Sequence, residues 1–252
     1  MIAAVTVNET RSELTKLVRL PAYVIPTLAF PLGFYAFFGI VLNAGHGVAS
    51  TPAATYLLAT YGAFGVVGCA LFGFGVSVAV ERGQGWLLVK RASPMPPAAY
   101  FVAKTLTTMC FAAAVVALLG AFGAAFGGVH LSATQWATLA IALVAGSVPF
   151  AALGLAIGFL AGPNSAPAVV NLIYLPLSFL SGLWLPVEVL PAPVAHLAPF
   201  LPTYHLGQLA LGIVAPGHGS AWGHAVVLAG WTLAAALVAA YGMKRDEGRA
   251  YG

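Results

Sequence analysis

The sequence predicts an all-α membrane protein with six transmembrane helices, an N-terminal interfacial helix and a re-entrant outer segment between spans five and six. Three observations predict it. Of 252 residues, 61% are hydrophobic and only 6% charged, against roughly a quarter charged in a soluble domain. Charge-free stretches run from Leu20 to Val80, Thr105 to Val187 and Val189 to Met243, each longer than the ~20 apolar residues a helix needs to cross the hydrocarbon. All ten Lys and Arg fall in three places: before the first stretch, between Arg82 and Lys104, and after Met243. A strand barrel would show short alternating segments instead.

Residues 3–20 form the interfacial helix. Val7, Thr10, Leu14, Leu17 and Val18 share one face, and Glu9, Glu13 and Lys16 take another, the pattern of a helix lying in the membrane surface. Pro21 then lets the chain change direction, and spans follow at 22–42, 53–80, 98–127, 136–161, 166–187 and 221–243. In the second span Gly65, Cys69, Gly73 and Ser77 recur every fourth residue, as do Gly154, Gly158 and Gly162 in the fourth. Such ladders let backbones approach closely, inside one subunit or across a dimer seam. Segment 188–214 is apolar enough for a seventh crossing, yet Pro191, Pro193, Pro199 and Pro202 each remove a backbone donor. A seventh span would also part Lys244, Arg245 and Arg249 from the other basic residues. The segment reads as short helices that dip into the outer face and return.

With six spans, the three basic places share one side, and the positive-inside rule makes that side cytoplasmic, with both termini and region 81–97 on it. The loops assigned outside carry no Lys or Arg, and the histidines gather there. The net charge of +4 is explained by membrane lipids and topology, not by nucleic acid. Cys69 and Cys110 fall inside spans and read as packing residues. The charged opening and the long apolar run after it do not make a cleavable signal.

The loop from Glu81 to Pro94 carries Glu81, Arg82, Lys90 and Arg91, with Gly85 to break the helix and Trp86, Leu87 and Val89 between the charges. Apolar residues among charges in a short loop suit docking against a soluble partner; a tryptophan there also suits anchoring at the lipid interface. No G-x-x-x-x-G-K-[ST] exists, so the chain has no P-loop. There is no H-E-x-x-H, no G-x-S-x-G and no pair of acids within a span, which points away from an enzyme. In the fifth span Asn171, Tyr174 and Ser178 lie at i, i+3 and i+7, with Ser181 beyond, as a translocation path or as interhelical hydrogen bonds. Glu188, beside Pro186, is the only acid expected outside, as an outer gate or a solvated carboxylate. His196, His205, His218 and His224 share the outer region and could take haem, a metal or protons, but spacings of nine, thirteen and six match no short helical ligand pair. No charge lines a span beyond Lys104, which favours a hydrophobic or amphipathic substrate: drug-like, lipid-like or peptide. A self-sufficient channel or passive carrier is the alternative.

The Glu81–Pro94 loop resembles the coupling-helix region of type-2 ABC exporter permeases, whose pattern runs E-R-E-x-G-T-L-E-x-L, then a proline, then a Lys or Arg entering the third span. Glu81, Arg82, Gly85, Leu87, Pro94 and Lys104 fall on it; Gly83, Trp86 and Leu88 depart from it. Phe179-Leu180-Ser181-Gly182 and Leu201-Pro202-Thr203-Tyr204 are similar to the family's F-x-S-G stretch and P-L-T-Y-like turn, although an arginine common after that turn is missing. The resemblance implies an ABC-2 type permease of a bacterial-type inner membrane. It pairs with a second copy of itself or a homologous permease, and each copy binds an ATP-binding ABC ATPase subunit. The partner-coupling residues are then Glu81, Arg82, Gly85, Trp86, Leu87, Lys90, Arg91 and Pro94. No cofactor is expected in this chain; ATP and Mg belong to the ATPase.

Overall fold

Hydrocarbon offers a backbone no partner but itself, so charge-free apolar stretches fold as helices. The computed structural model describes residues 2–42, 47–48, 51–93, 95–215 and 220–250. The helices are α1 (Ile2–Val18), α2 (Pro21–Leu42), α3 (Ala53–Gly83), α4 (Trp86–Ala92), α5 (Pro97–Phe126), α6 (Ala133–Ala145), α7 (Val148–Leu160), α8 (Ala166–Leu180), α9 (Ala192–Leu197), α10 (Pro202–Val214) and α11 (Ala221–Ala250). Among the described residues, five helical runs are long and apolar enough to cross a membrane: α2, α3, α5, the pair α6–α7 and α11.

Pro21 opens α2 where its missing N–H is unneeded. Pro26 and Pro31 lie within the helix, which widens to a π-helix from Tyr35 to Leu42. A second π segment, Leu71–Val76, interrupts α3 around Gly73 and Gly75. Helix α3 is the axis of the bundle, buried from Thr55 to Leu71, because α2, α5, α7 and α10 all pack on it. The expected small-residue ladder works within the subunit: a Cβ on Gly154 of α7 would lie 3.0 Å from the Ala70 carbonyl oxygen and 3.1 Å from the Gly75 nitrogen. Only glycine allows that approach.

One expectation is corrected, and two helices show features the sequence did not disclose. The stretch read as a fifth span over 166–187 is helical only to Leu180, where Gly182 turns the chain at φ +82°. Fifteen residues reach about 22 Å, short of the ~30 Å hydrocarbon core. The fourth run is jointed at Gly146–Ser147. In α1 the buried side chains come from both expected faces. Glu13 and Leu17 are buried, whereas Val7 and Val18 are more than 60% exposed.

Beyond α8, 3-10 turns at Val187–Val189 and Ala198–Phe200 flank the six-residue α9 and lead into α10. Helix α10 wedges against α3, α6 and α11, burying His205, Leu206, Ala210 and Leu211.

Candidate functional site

Lys104 explains the orientation of α1. It sits on α5, two turns from that helix's start at Pro97, and is 3% exposed. A buried ammonium is tolerated only when its donors are paired. Its Nζ donates to Glu13 Oε2 at 2.8 Å, Glu81 Oε1 at 2.9 Å and Ser77 Oγ at 3.2 Å, which uses all three of its protons. The other Glu81 oxygen accepts from the Tyr100 hydroxyl at 2.5 Å. Lys16 bonds Glu13 and Glu81, and Lys90 of α4 pairs with Glu9 and, at 3.6 Å, with Glu13. Burial alone would raise the Glu13 pKa, but Lys104 and Lys16 together hold it below its usual value. Burial opposes charge on Lys16 too, and Glu81 and Glu13 overcome it, so its pKa is raised.

Arg82 takes a separate path. Its guanidinium donates to the Phe159 carbonyl and, at 2.5 Å, to that of Ala161, and it lies 3.5 Å from Asp246. A cation at these last carbonyls of α7 also suits the helix dipole. These bonds tie α1, α3, α4, α5, α7 and α11 together at one end of the bundle. The three basic places of the sequence therefore do share one side. Glu81 and Arg82, expected to orient a partner, instead point inward.

The partner-facing surface that remains is α4. Gly85, at φ +78°, takes the left-handed conformation that ends α3 and starts α4. Leu87 is buried and Lys90 is held by Glu9, which fixes the helix. Trp86 is 53% exposed, and Leu88 and Val89 are exposed with it. Trp86 and Val89 lie at i and i+3, hence on one face. Pro94 and the Arg91 side chain lie outside the described residues.

A groove of about 920 Å³ runs between α2, α3 and α8. Its walls are Phe30, Phe34, Phe64, Phe72 and Leu175, with Lys16, Arg19 and Gln84 at the charged end and Trp184 among its lining residues. Of the predicted path residues, Asn171 and Tyr174 line it; Ser178 and Ser181 do not. The single face expected from spacing is split. Asn171 is exposed and its amide returns to its own helix, at the Pro167 carbonyl (3.1 Å). Tyr174 is buried, donates to the Phe64 carbonyl at 3.0 Å and stacks on the Phe64 ring at 4.8 Å. Ser178 is fully buried, its hydroxyl unpartnered among the described residues, and Ser181 donates to the Ser178 carbonyl at 3.3 Å. Sequence reasoning missed the aromatic wall. Phe34 stacks with Tyr61 and, at 5.5 Å, with Trp184; the run Phe30, Phe34, Phe38 at every fourth residue was its signal.

At the opposite end, His205 and His224, nineteen residues apart, bring their Nδ1 atoms to 2.8 Å. His205 Nε2 lies 2.9 Å from the Pro199 carbonyl, which only accepts, so that nitrogen carries the proton and the neutral pair has His224 donating to His205. No spacing rule anticipated this contact, because it joins two helices. Among the described residues no group of three His, Cys, Asp or Glu could hold a metal; His218 lies outside them. Glu188 is exposed and Pro186 half-buried. Burial, then the Glu188 carboxylate, raises the pKa of Tyr204.

Comparison with known proteins places these features in a wider group. A family model described as ABC-2 type transporter matches residues 8–214, the region from α1 through α10 that holds the charged end, the groove and α4. The chain is also similar to "Putative transport permease YvfS" of Bacillus subtilis (strain 168), at 28% identity over 236 residues, covering 94% of this chain and 96% of that protein.

Proposed function

The chain belongs to the ABC-2 type transporter family, as a transmembrane component of an ABC transporter, and we propose that it is the permease subunit of an ATP-driven exporter. It moves a hydrophobic or amphipathic substrate outward while a separate ATPase subunit, with its own ATP and Mg, supplies the energy. The observation that carries this reading is α4. The exposed Trp86 and Val89 stand on a short helix that is fixed to the bundle by buried Leu87 and by the Lys90–Glu9 pair. Such a helix is an apolar handle joined to the bundle, and a partner that grips it can move the ends of α3 and α5.

In this reading the charged end faces the cytoplasm with both termini, in a bacterial-type inner membrane, and the permease works as a dimer. Helix α8 makes a sixth crossing, its short length met by local thinning of the bilayer. Segment 188–214 re-enters from outside, with Glu188 and Pro186 at the outer gate. The groove beside Asn171 and Tyr174 is the substrate path.

Reconstitution tests the proposal. The chain alone hydrolyses no ATP; co-expressed with its ABC ATPase subunit, it co-purifies and transports on ATP addition. Transport down a gradient without any partner would replace the exporter with a passive carrier. Topology is checked by cysteine labelling from outside, which reaches Glu188→Cys and spares Val89→Cys.

A further inference from the structure

The charges at the cytoplasmic mouth of the groove do not all have the same standing. Lys16, Lys90 and Lys104 are matched by Glu9, Glu13 and Glu81 through the bonds described above, three positive against three negative. Arg19 is left over. It is exposed, its guanidinium has no hydrogen-bond or ion-pair partner among the described residues, and it lines the groove together with Leu20, Ala22 and Tyr23. A basic residue beside a span is expected from topology alone. Topology does not explain why an unpaired cation stands on the rim of this cavity, where the other charged lining residues, Lys16 and Glu81, are paired with each other and the long walls are apolar and aromatic.

The dimensions of the groove add to this. Its lining follows α2 from Leu20 to Phe34, and the fourteen residues from Pro21 to Phe34 rise about 21 Å, well over half of the ~30 Å hydrocarbon thickness. Phe34 at the far end stacks on Trp184. A ligand that fills this space is long and apolar, and its head meets one uncompensated positive charge.

We infer that the groove binds an amphiphile with a single anionic head and one long apolar tail, the head at Arg19 and the tail running past Phe30 and Phe34 toward Trp184. The inference names the substrate class for the permease reading, but binding itself needs neither an ATPase nor transport. An anionic head gains a charge-assisted bond to a guanidinium, and a neutral analogue with the same tail keeps only the apolar contact. A cationic analogue meets like charge.

The test is quenching of tryptophan fluorescence in the purified full chain, in nonionic micelles, by stearate carrying a nitroxide near the end of its tail. Alkaline buffer keeps the carboxyl ionised, and the methyl ester of the same probe is the neutral control. The part of the quenching lost in Trp184→Phe reports the groove. That part is expected to saturate at several-fold lower concentration for the acid than for the ester. Arg19→Gln should make the two equal, and Arg19→Lys should retain the preference. Equal quenching by both probes in the unaltered chain overturns the inference, as does an acid preference that survives Arg19→Gln. If phosphatidylglycerol displaces the probe as well as dodecyl phosphate does, the groove holds bilayer lipid and the single-tailed cargo is ruled out. If Leu175→Cys in a Cys110→Ala background cross-links two copies at a rate the stearate leaves unchanged, a second copy fills the groove, which also overturns it. Each of these failures leaves the ATPase reconstitution untouched, so it is distinguishable from failure of the permease reading.

Discussion

The two ends of the bundle are closed by opposite means. At one end, full charges from α1, α3, α4 and α5 are buried together, and Lys104 alone binds two carboxylates and a hydroxyl. At the other, the cross-links are neutral and end mostly on backbone carbonyls: Gln135 on Ile213 at 3.1 Å, Thr203 on Leu177 at 3.0 Å, His205 on Pro199 at 2.9 Å. Neutral bonds are worth ~1 kcal/mol each, whereas breaking one partner out of a buried ion pair costs ~3–5 kcal/mol. On these magnitudes the charged end is expected to hold as a unit and the histidine end to yield first.

The strongest way to break the comparison is to remove its centre. Lys104→Met leaves Glu13 and Glu81 facing each other with only half-exposed Lys16 between them. It should lower stability by ~3–5 kcal/mol, read as a large drop in the thermal unfolding midpoint in detergent. Lys104→Met combined with Glu13→Gln should recover part of that loss, since one of the two stranded carboxylates is gone. A fall no larger than that produced by a histidine substitution at the other end would show that the ends do not differ.

What the sequence disclosed follows the same divide. Five of the six apolar runs, the central Gly ladder and the common end of the basic residues were legible, because apolar run length and charge placement are local properties. The burial of Glu13 in α1 was not. Its periodicity puts Glu13 on the charged face, but Lys104, ninety-one residues away, needs a buried carboxylate, and no local pattern records that demand. The same holds for His205 and His224, whose contact depends on where α10 meets α11. Helix α8 ended early for a reason that was in plain view: Ser181-Gly182 supplies the left-handed turn. The groove was half legible, with Tyr174 found and the phenylalanine wall overlooked.

Trp86→Ala sharpens the contrast between the two faces of α4. Leu87 and the Lys90–Glu9 pair hold the helix in place, so the fold should survive. Loss of a large exposed aromatic from the centre of an interface costs about 2 kcal/mol or more, so recovery of the ATPase complex should fall roughly thirtyfold in affinity. Trp184→Ala, remote from α4, should leave the complex intact. If Trp86→Ala leaves assembly and coupled hydrolysis unchanged, Trp86 anchors the helix in lipid instead.

Acid should discriminate between the ends as well. Glu13 has a folded pKa below its usual 4.5, so its contribution is present above pH ~4.5 and is lost as pH falls through the lowered value. Lys16, with a raised pKa, contributes fully below pH 10.5 and loses that contribution only as pH climbs past the raised value. The unfolding midpoint should therefore drop below pH ~4.5 by an amount that shrinks in Glu13→Gln, whose midpoint near neutrality is already lower. An acid limb identical in both proteins would remove Glu13 from the account.

The smallest effect is expected at the histidine end. His205 makes two neutral bonds, to Pro199 and to His224, from a ring that is 8% exposed. Phenylalanine fills nearly the same space and makes neither bond. The Pro199 carbonyl lies in a turn at the edge of the protein, where water can replace the lost donor, so only part of the ~1 kcal/mol per bond is forfeited. His205→Phe should therefore cost about 1 kcal/mol overall, and that cost should be local. Hydrogen exchange should quicken across α9 and α10, because His205 is the side chain that joins the α9 turn to α10 and α10 to α11, while amides of α1 and α4 keep their protection. If exchange quickens at both ends together, the bundle opens as one body and the division into a stiff charged end and a yielding histidine end is wrong. If it quickens only in α9 and α10, that segment is a unit that can open while the ion pairs of the charged end stay closed, which is the order of events the proposed exporter would require.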